Sequence, residues 1–187
     1  MLRKGFVNGY WQSEKYFESI EDIIRNVFTF PEASEQNKAI AREMAASTSV
    51  SIHVRRGDYL RYFPNNVLDE AYYGPAMAYF TERFKDVHFF IFSNDISWCR
   101  EHLSAERISF VDWNTGKDSP YDMWLMTQCK HNIIANSSFS WWGAWLNNNP
   151  EKIVIAPGRW FDEFSTPDIY CKDWVILRGY GTCRQAS

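Results

Sequence analysis

From Ser49 onward the apolar positions of the chain change period. Val50, Ile52 and Val54 alternate with Ser51 and His53, which predicts a strand with one apolar face over Ser49 to Val54. Upstream the period is helical. Tyr16, Phe17, Ile20, Ile23, Ile24 and Val27 recur at helical spacing, with Glu14, Glu18, Glu21 and Asp22 between them, and predict a packing helix from Glu14 to Val27 that Ser13 can cap. Pro31 ends it, and Ser34 opens a second helix from Glu35 to about Ala46. Gly5 to Trp11 is a short aromatic segment ahead of both.

Beyond Val54 strands and helices interleave. Pro75 suits the first turn of a helix running to about Phe84. His88 to Phe92 reads as a buried strand, after which Asn94 or Asp95 can cap a helix through His102, and Arg107 to Val111 is the next strand. Ser119-Pro120-Tyr121-Asp122 supplies a cap, a first-turn proline and an acidic residue for a helix to about Cys129. The stretch from His131 to Pro157 then runs strand, turn, helix, strand. Ile133 to Ala135 is a buried apolar run, Ser137 and Ser138 stand at the turn, Phe139 to Leu146 continues at helical spacing, and Lys152 to Ala156 is a strand. Trp174 to Leu177 closes the series. Such alternation predicts a Rossmann-like, doubly wound α/β fold with a mostly parallel sheet and N-terminal helices: residues 1–47 as a helical linker segment, 48–187 as the ligand-binding domain.

In such a sheet ligands bind outside the carboxyl ends of the strands. The residues there are Arg55 to Asp58, Ser93 to Asp95, Asp112 to Asn114, Asn136 to Ser138 and Pro157 to Trp160. Arginine carries a planar fork of donors that matches phosphate oxygens, so Arg55 and Arg56 point to a diphosphate; salt bridging to Asp58 or Asp69 is the plainer alternative. Ser137 or Ser138 can cap a helix. Equally, with the unpaired first amides of that helix and its dipole, they can hold an anion. His53 can contact a ribose or base, or be an ordinary buried side chain.

Composition narrows the classes. With 187 residues, 45% of them hydrophobic, the chain can bury a full core. No span of about eighteen apolar residues occurs, and the N-terminus lacks the apolar core of a secretory signal. The expectation is a cytoplasmic protein, at most peripheral at the inner face of a bacterial membrane. A net charge of -3 argues against general nucleic-acid binding, so an arginine pair would serve a local anion. Cys99, Cys129, Cys171 and Cys183 form no C-x-x-C pair and are expected as reduced thiols. The sequence holds no P-loop, G-x-G-x-x-G turn, serine elbow or H-E-x-x-H. It also holds no Asp-x-Asp that would ligate a divalent ion on a nucleotide diphosphate, and no metal and no cofactor are expected.

Four stretches together resemble a known family. Gly9-Tyr10-Trp11-Gln12-Ser13-Glu14-Lys15-Tyr16-Phe17, the HVRRGDY run ending at Tyr59, FFIFSND ending at Asp95, and the run from Asn136 to Trp145 are similar, in order, to the motifs of glycosyltransferase family 11, the α1,2-fucosyltransferases. The resemblance implies a donor, GDP-fucose, and a galactose-terminated glycan acceptor. It implies that Arg55 holds the β-phosphate, with Arg56 in support, His53 near the nucleoside, and Asn94, Asp95, Ser137, Ser138 and Phe139 around the donor. Asp122 matches the aspartate that reads guanine through N1–H and N2–H. Asp58 is the nearest carboxylate to the arginines, read first as orienting them and second as a base.

The implied fold is one half of a GT-B enzyme, two Rossmann-like domains facing an active site. Family members begin with a strand and a Gly-Gly-Leu-Gly-Asn-Gln-type turn that this sequence lacks, so it resembles their C-terminal part. The implied reaction is an inverting transfer of fucose to galactose. Two alternatives stand beside it: a GDP-sugar-binding fragment without turnover, and a fucosyltransferase making another linkage.

Overall fold

The computed structural model describes residues 12–161 and 166–179; the aromatic segment 5–11, the start of the first motif and Cys183 lie outside them. Six strands form one sheet: β1 Thr48–Val54, β2 Val87–Ser93, β3 Ile108–Val111, β4 His131–Ile133, β5 Val154–Pro157 and β6 Val175–Leu177. Their order is β3-β2-β1-β4-β5-β6, and every pairing is parallel. From β1 the chain winds outward to β2 and β3. It then crosses back to place β4 on the other side of β1, so the winding reverses between β1 and β4. That reversal opens a crevice at the carboxyl end of the sheet.

The described residues form seven α-helices, which pack on both faces of the sheet or at its edge: α1 Glu21–Val27, α2 Glu35–Ala46, α3 Gly57–Tyr62, α4 Glu70–Thr81, α5 Ile96–His102, α6 Ser119–Gln128 and α7 Ser138–Trp145. Val50, Ile52 and Val54 of β1 join Phe89, Ile91 and Ile133 beneath α4 and α5, where Tyr72, Tyr73, Phe80 and Cys99 are fully buried. On the opposite face Phe90, Phe92 and Val111 meet Met44 of α2 and Leu125 and Met126 of α6. Beside them Ile134, Val154 and Ala156 meet Trp141 and Trp145 of α7. The second face of β1 is therefore buried too, as a central parallel strand requires. Ser49 and Ser51 are satisfied there: Ser49 Oγ accepts from the Lys130 amide at 2.9 Å and Ser51 Oγ from Asn132 Nδ2 at 2.7 Å.

Two helices differ from expectation. In place of one packing helix over 14–27, two 3-10 turns, Glu14–Tyr16 and Glu18–Ile20, precede a short α1, and Ser13 makes no capping bond. The segment is apolar on two sides, and only one of them is buried. Phe17 is wedged among Trp141, Trp142 and Trp145, whereas Tyr16, Ile20, Ile23 and Val27 are 66%, 43%, 59% and 68% exposed. The break falls at Phe17, whose φ of -139° leaves the helical range so that its ring can enter the tryptophan cluster.

Helix α4 begins at Glu70, and Pro75 stands inside it rather than in its first turn. An interior proline costs about 3 kcal/mol or more. The loss is offset by the Asp69 carboxylate, which accepts from the Ala71 amide at 3.0 Å, and by burial of Tyr72, Tyr73, Ala76 and Phe80. Tyr72 donates to the Ile134 carbonyl at 2.7 Å and Tyr73 to the His53 carbonyl at 3.1 Å, fastening the helix to the sheet near the crevice. Cys99, Cys129 and Cys171 are buried free thiols, pushed up in pKa by burial. Among the described residues no helix is long and apolar enough to cross a membrane.

Candidate functional site

The crevice is bounded by the ends of β1 and β4. Because Ile52 of β1 pairs with Ile133 of β4, the loops that follow, Arg55 to Gly57 and Asn136 to Ser138, leave the sheet side by side. Two contacts join them. The Tyr59 hydroxyl donates to the Asn136 carbonyl at 3.0 Å, and the His53 ring lies 5.5 Å from that of Phe139.

The two arginines differ in what they already hold. Arg56 Nε donates to Asp95 Oδ2 at 3.2 Å, its guanidinium lies 4.1 Å over the Trp98 ring, and its side chain is 14% exposed. Arg55 Nη2 donates to Asp58 Oδ2 at 2.8 Å in a pair whose side chains are 32% and 46% exposed, at the mouth of the crevice. Asp58 is thus held by Arg55, the geometry of an orienting carboxylate.

Asn94 and Asp95 tie the end of β2 to that of β1. Asn94 Oδ1 accepts from the Arg56 amide at 3.0 Å, and Asp95 Oδ1 accepts from the Trp98 amide at 3.2 Å as the cap of α5. Gly57 is required by this packing, since a Cβ there would lie 2.2 Å from Asn94 Nδ2.

Across the crevice, α7 starts without a side-chain cap. Ser34, Asp69 and Asp95 each close the first turn of α2, α4 and α5, whereas α1, α3 and α6 start without a side-chain cap, as does α7, where Ser137 stands in the cap position with extended backbone and makes no capping bond. The first amides of α7 have no partner inside the helix, and α7 follows β4, the neighbour of the strand that leads to Arg55. Asn136 donates to the Asn66 and Trp160 carbonyls at 2.9 and 3.0 Å, and its buried Oδ1 has no partner.

His53 is buried, and burial with the nearby Arg55 charge lowers its pKa to about 3, so the ring is neutral and serves as no acid or base near pH 7. Its Nδ1 is also without a partner. Phe139 lies against the His53 ring and, like Trp113 and Trp124, packs on the core cluster to which Leu125 and Met126 of α6 belong.

Asp122, in the first turn of α6, is partly buried. Burial raises its pKa from 3.8 to about 7, and the Asn114 amide, donating at 2.9 Å, opposes that rise. Asn114 is paired in turn with Asn37 of α2 by two bonds of 3.0 Å, and the Trp113 indole donates to Asn37 at 2.8 Å. Sequence reasoning missed Asn37. Its signal was there: a polar residue on the stripe Asn37, Ile40, Ala41, Met44 that α2 turns to the core. Among the described residues no group of three or more His, Cys, Asp or Glu side chains gathers in a way that could hold a metal ion.

Comparison with known proteins bears on this geometry. Residues 3–178 match the model of glycosyl transferase family 11. An alpha-1,2-colitosyltransferase of Escherichia coli is 38% identical over 90% of this chain and 61% of its own. The O-antigen biosynthesis glycosyltransferase WbnK of Escherichia coli is 33% identical over 90% of this chain and 59% of its own. A galactoside alpha-(1,2)-fucosyltransferase 1 of Bos taurus is 33% identical over 87% of this chain and 47% of its own. The chain thus spans about half to three-fifths of the length of these curated relatives. Among solved structures, ADP-heptose lps heptosyltransferase II of E. coli is similar over 79% of this chain and 44% of its own, at 16% identity and a TM-score of 0.48. On the match to nearly its whole length, the chain belongs to glycosyl transferase family 11.

Proposed function

We propose that the chain is the donor-binding half, GT-B in kind, of an inverting galactoside α1,2-fucosyltransferase that takes fucose from GDP-fucose without a metal ion. One observation carries the reading: Arg55, paired with a half-exposed carboxylate and 5.5 Å from the Tyr59 ring, follows β1 where the winding of the sheet reverses, next to β4 and the helix α7 that follows it. A diphosphate fits between a guanidinium fork and a row of free amides. Asp122 takes guanine, whose N1–H and N2–H donate side by side to a carboxylate.

In the reaction the 2-hydroxyl oxygen of a terminal galactose attacks C1 of fucose while the bond from C1 to the β-phosphate oxygen breaks. GDP leaves with the bonding pair, the hydroxyl proton passes to solvent or a carboxylate, and the configuration at C1 inverts. Charge grows on the β-phosphate as the bond breaks, so donors fixed there hold the transition state more strongly than the ground state. Removing one such donor costs about 2.7–4 kcal/mol. Asp58 keeps Arg55 aimed. The protein would work in the cytoplasm, peripheral to the membrane whose glycans it extends.

A second reading concerns the sugar. The 38% identical relative is a colitosyltransferase, and colitose is fucose without its 3-hydroxyl, so GDP-colitose is the rival donor. The deciding experiment is calorimetric titration with GDP, GDP-fucose and GDP-colitose, with and without chelator, followed by transfer to lactose. GDP-fucose binding that survives chelator, with transfer, supports the proposal. Binding without transfer assigns a donor-binding module, and loss of binding with chelator refutes metal independence.

A further inference from the structure

The amides behind Asp122 do more than fill space. An indole N–H only donates, so the Asn37 atom that meets Trp113 at 2.8 Å must be the oxygen. The Asn37 nitrogen is then the atom turned to Asn114, and it requires the Asn114 oxygen opposite it at 3.0 Å. The Asn114 nitrogen is left with two hydrogens, one spent on Asn37 Oδ1 at 3.0 Å and the other on Asp122 Oδ1 at 2.9 Å. Both Asn37 and Asn114 are buried, so turning the pair over would leave the indole N–H facing an NH2 group with no water to relieve it. The polarity of the whole row is set at Trp113. What reaches Asp122 is always a donor.

We propose that Trp113, Asn37 and Asn114 are positioning residues for nucleobase recognition, a one-way hydrogen-bond relay that keeps Asp122 a pure acceptor and selects guanine over bases that present an acceptor. The inference rests on the reading of Asp122 as the guanine contact. A carboxylate matches two adjacent N–H groups, whereas a protonated carboxyl matches a donor beside an acceptor, as adenine offers. The relay opposes the burial that would protonate Asp122. Charged groups on the elements packed around it are Glu35, Lys38, Arg42 and Glu43 on α2, Lys117 and Asp118 before α6, and Asp112 after β3; α7 has none. Lys38 is engaged by Glu32 and Glu35, and Asp112 by Arg100. Burial and the Asn114 amide are what act on Asp122.

Trp113→Phe keeps the ring and removes the one donor that sets the relay. GDP is titrated calorimetrically from about pH 5.5 to about pH 8.5 with the parent, Trp113→Phe and Asp122→Asn, and the Asp122 carboxyl is followed by carbon NMR in the ligand-free parent and Trp113→Phe. Trp113→Phe should bind GDP within about twofold of the parent at the alkaline end and about threefold or more weaker near pH 6, because its midpoint moves up by about half a unit. The carboxyl titration should move the same way. A carboxyl midpoint that stays put, or weakening equal at every pH, overturns the relay and leaves Trp113 a packing residue. GDP binding that is absent in the parent, or unchanged in Asp122→Asn, refutes the base contact itself, while the carboxyl titration still judges the relay.

Discussion

Asp122→Asn should make the free protein more stable while weakening GDP, and the gain should depend on pH in a defined way. Burial raises the folded pKa of Asp122 from 3.8 to about 7. At about 1.36 kcal/mol per pH unit, a rise of about three units amounts to a folding penalty of up to about 4 kcal/mol once the group is ionised in both states. Because the folded value lies above the unfolded one, nothing is lost below about pH 4, where the group is protonated in both states. Stability then falls as pH rises, since the unfolded chain ionises first, and the full penalty is reached above about pH 7.

Asparagine removes that penalty and still accepts from Asn114 through its amide oxygen. Allowing for relaxation, a gain of about 2 kcal/mol near pH 8 corresponds to about 4–8 °C in Tm for a chain of this size. By about pH 5 less than half of it should remain. Thermal unfolding followed by circular dichroism at the two pH values, beside GDP titration at the alkaline one, measures both effects. A gain that does not change with pH, or a loss near pH 8, would refute the argument that the buried carboxylate is held at a cost. A gain in stability without loss of GDP affinity would leave the cost without a function to explain it.

Two further outcomes follow from the same geometry. Arg55→Lys keeps the charge but loses the fork, so calorimetry should show GDP binding weakened almost as much as by Arg55→Ala, with Tm unchanged because the Arg55–Asp58 pair is half exposed; parent-like binding would remove Arg55 from the phosphate. Lys152→Met should destabilise by about 1–3 kcal/mol in denaturant unfolding at pH 7, since Lys152 Nζ donates to the Ala144, Trp145 and Asn147 carbonyls that end α7. Burial lowers the Lys152 pKa from 10.5 to about 8, so the cost of its charge is present below about pH 8 and is relieved above it, and the parent's advantage should widen as pH rises toward 10.

The sheet was legible because its strands are short apolar runs bounded by polar turns, and a parallel, doubly wound sheet places every strand end on one edge. That placement puts the residues after β1 and β4, Arg55 and Ser137 among them, on the same edge. The N-terminal helix was misread because its stripe is apolar on two sides, and a period says which residues share a face without saying whether anything covers it. Pro75 was misplaced because propensity marks where a helix can begin cheaply, whereas Asp69 and the buried Tyr72 and Tyr73 decide where α4 does begin. Asn37 escaped because it lies 77 residues from Asn114, with which it pairs. A polar residue on an apolar stripe signals a buried partner but does not name it.

The two arginines of HVRRGDY differ in what each would give up to reach a ligand. For Arg56 to reach a ligand it would give up Asp95, whose other oxygen caps α5, and the face of Trp98. A hydrogen bond to a charged group is worth about 1.5–3 kcal/mol, and a cation over a partly buried ring about 0.5–2 kcal/mol. Arg55 would exchange a half-exposed ion pair, worth about 0–1 kcal/mol, and a more distant ring contact, 5.5 Å to Tyr59 against 4.1 Å from Arg56 to Trp98. On the proposed function, an arriving diphosphate would therefore engage Arg55 at the lower cost and leave Arg56 where it is. Arg56 contributes through rigidity: its amide on Asn94, its guanidinium on Asp95 and the close packing at Gly57 fix the backbone from which Arg55 projects. With that backbone fixed, the fork is aimed before the ligand binds, and less of the binding energy is lost to ordering it.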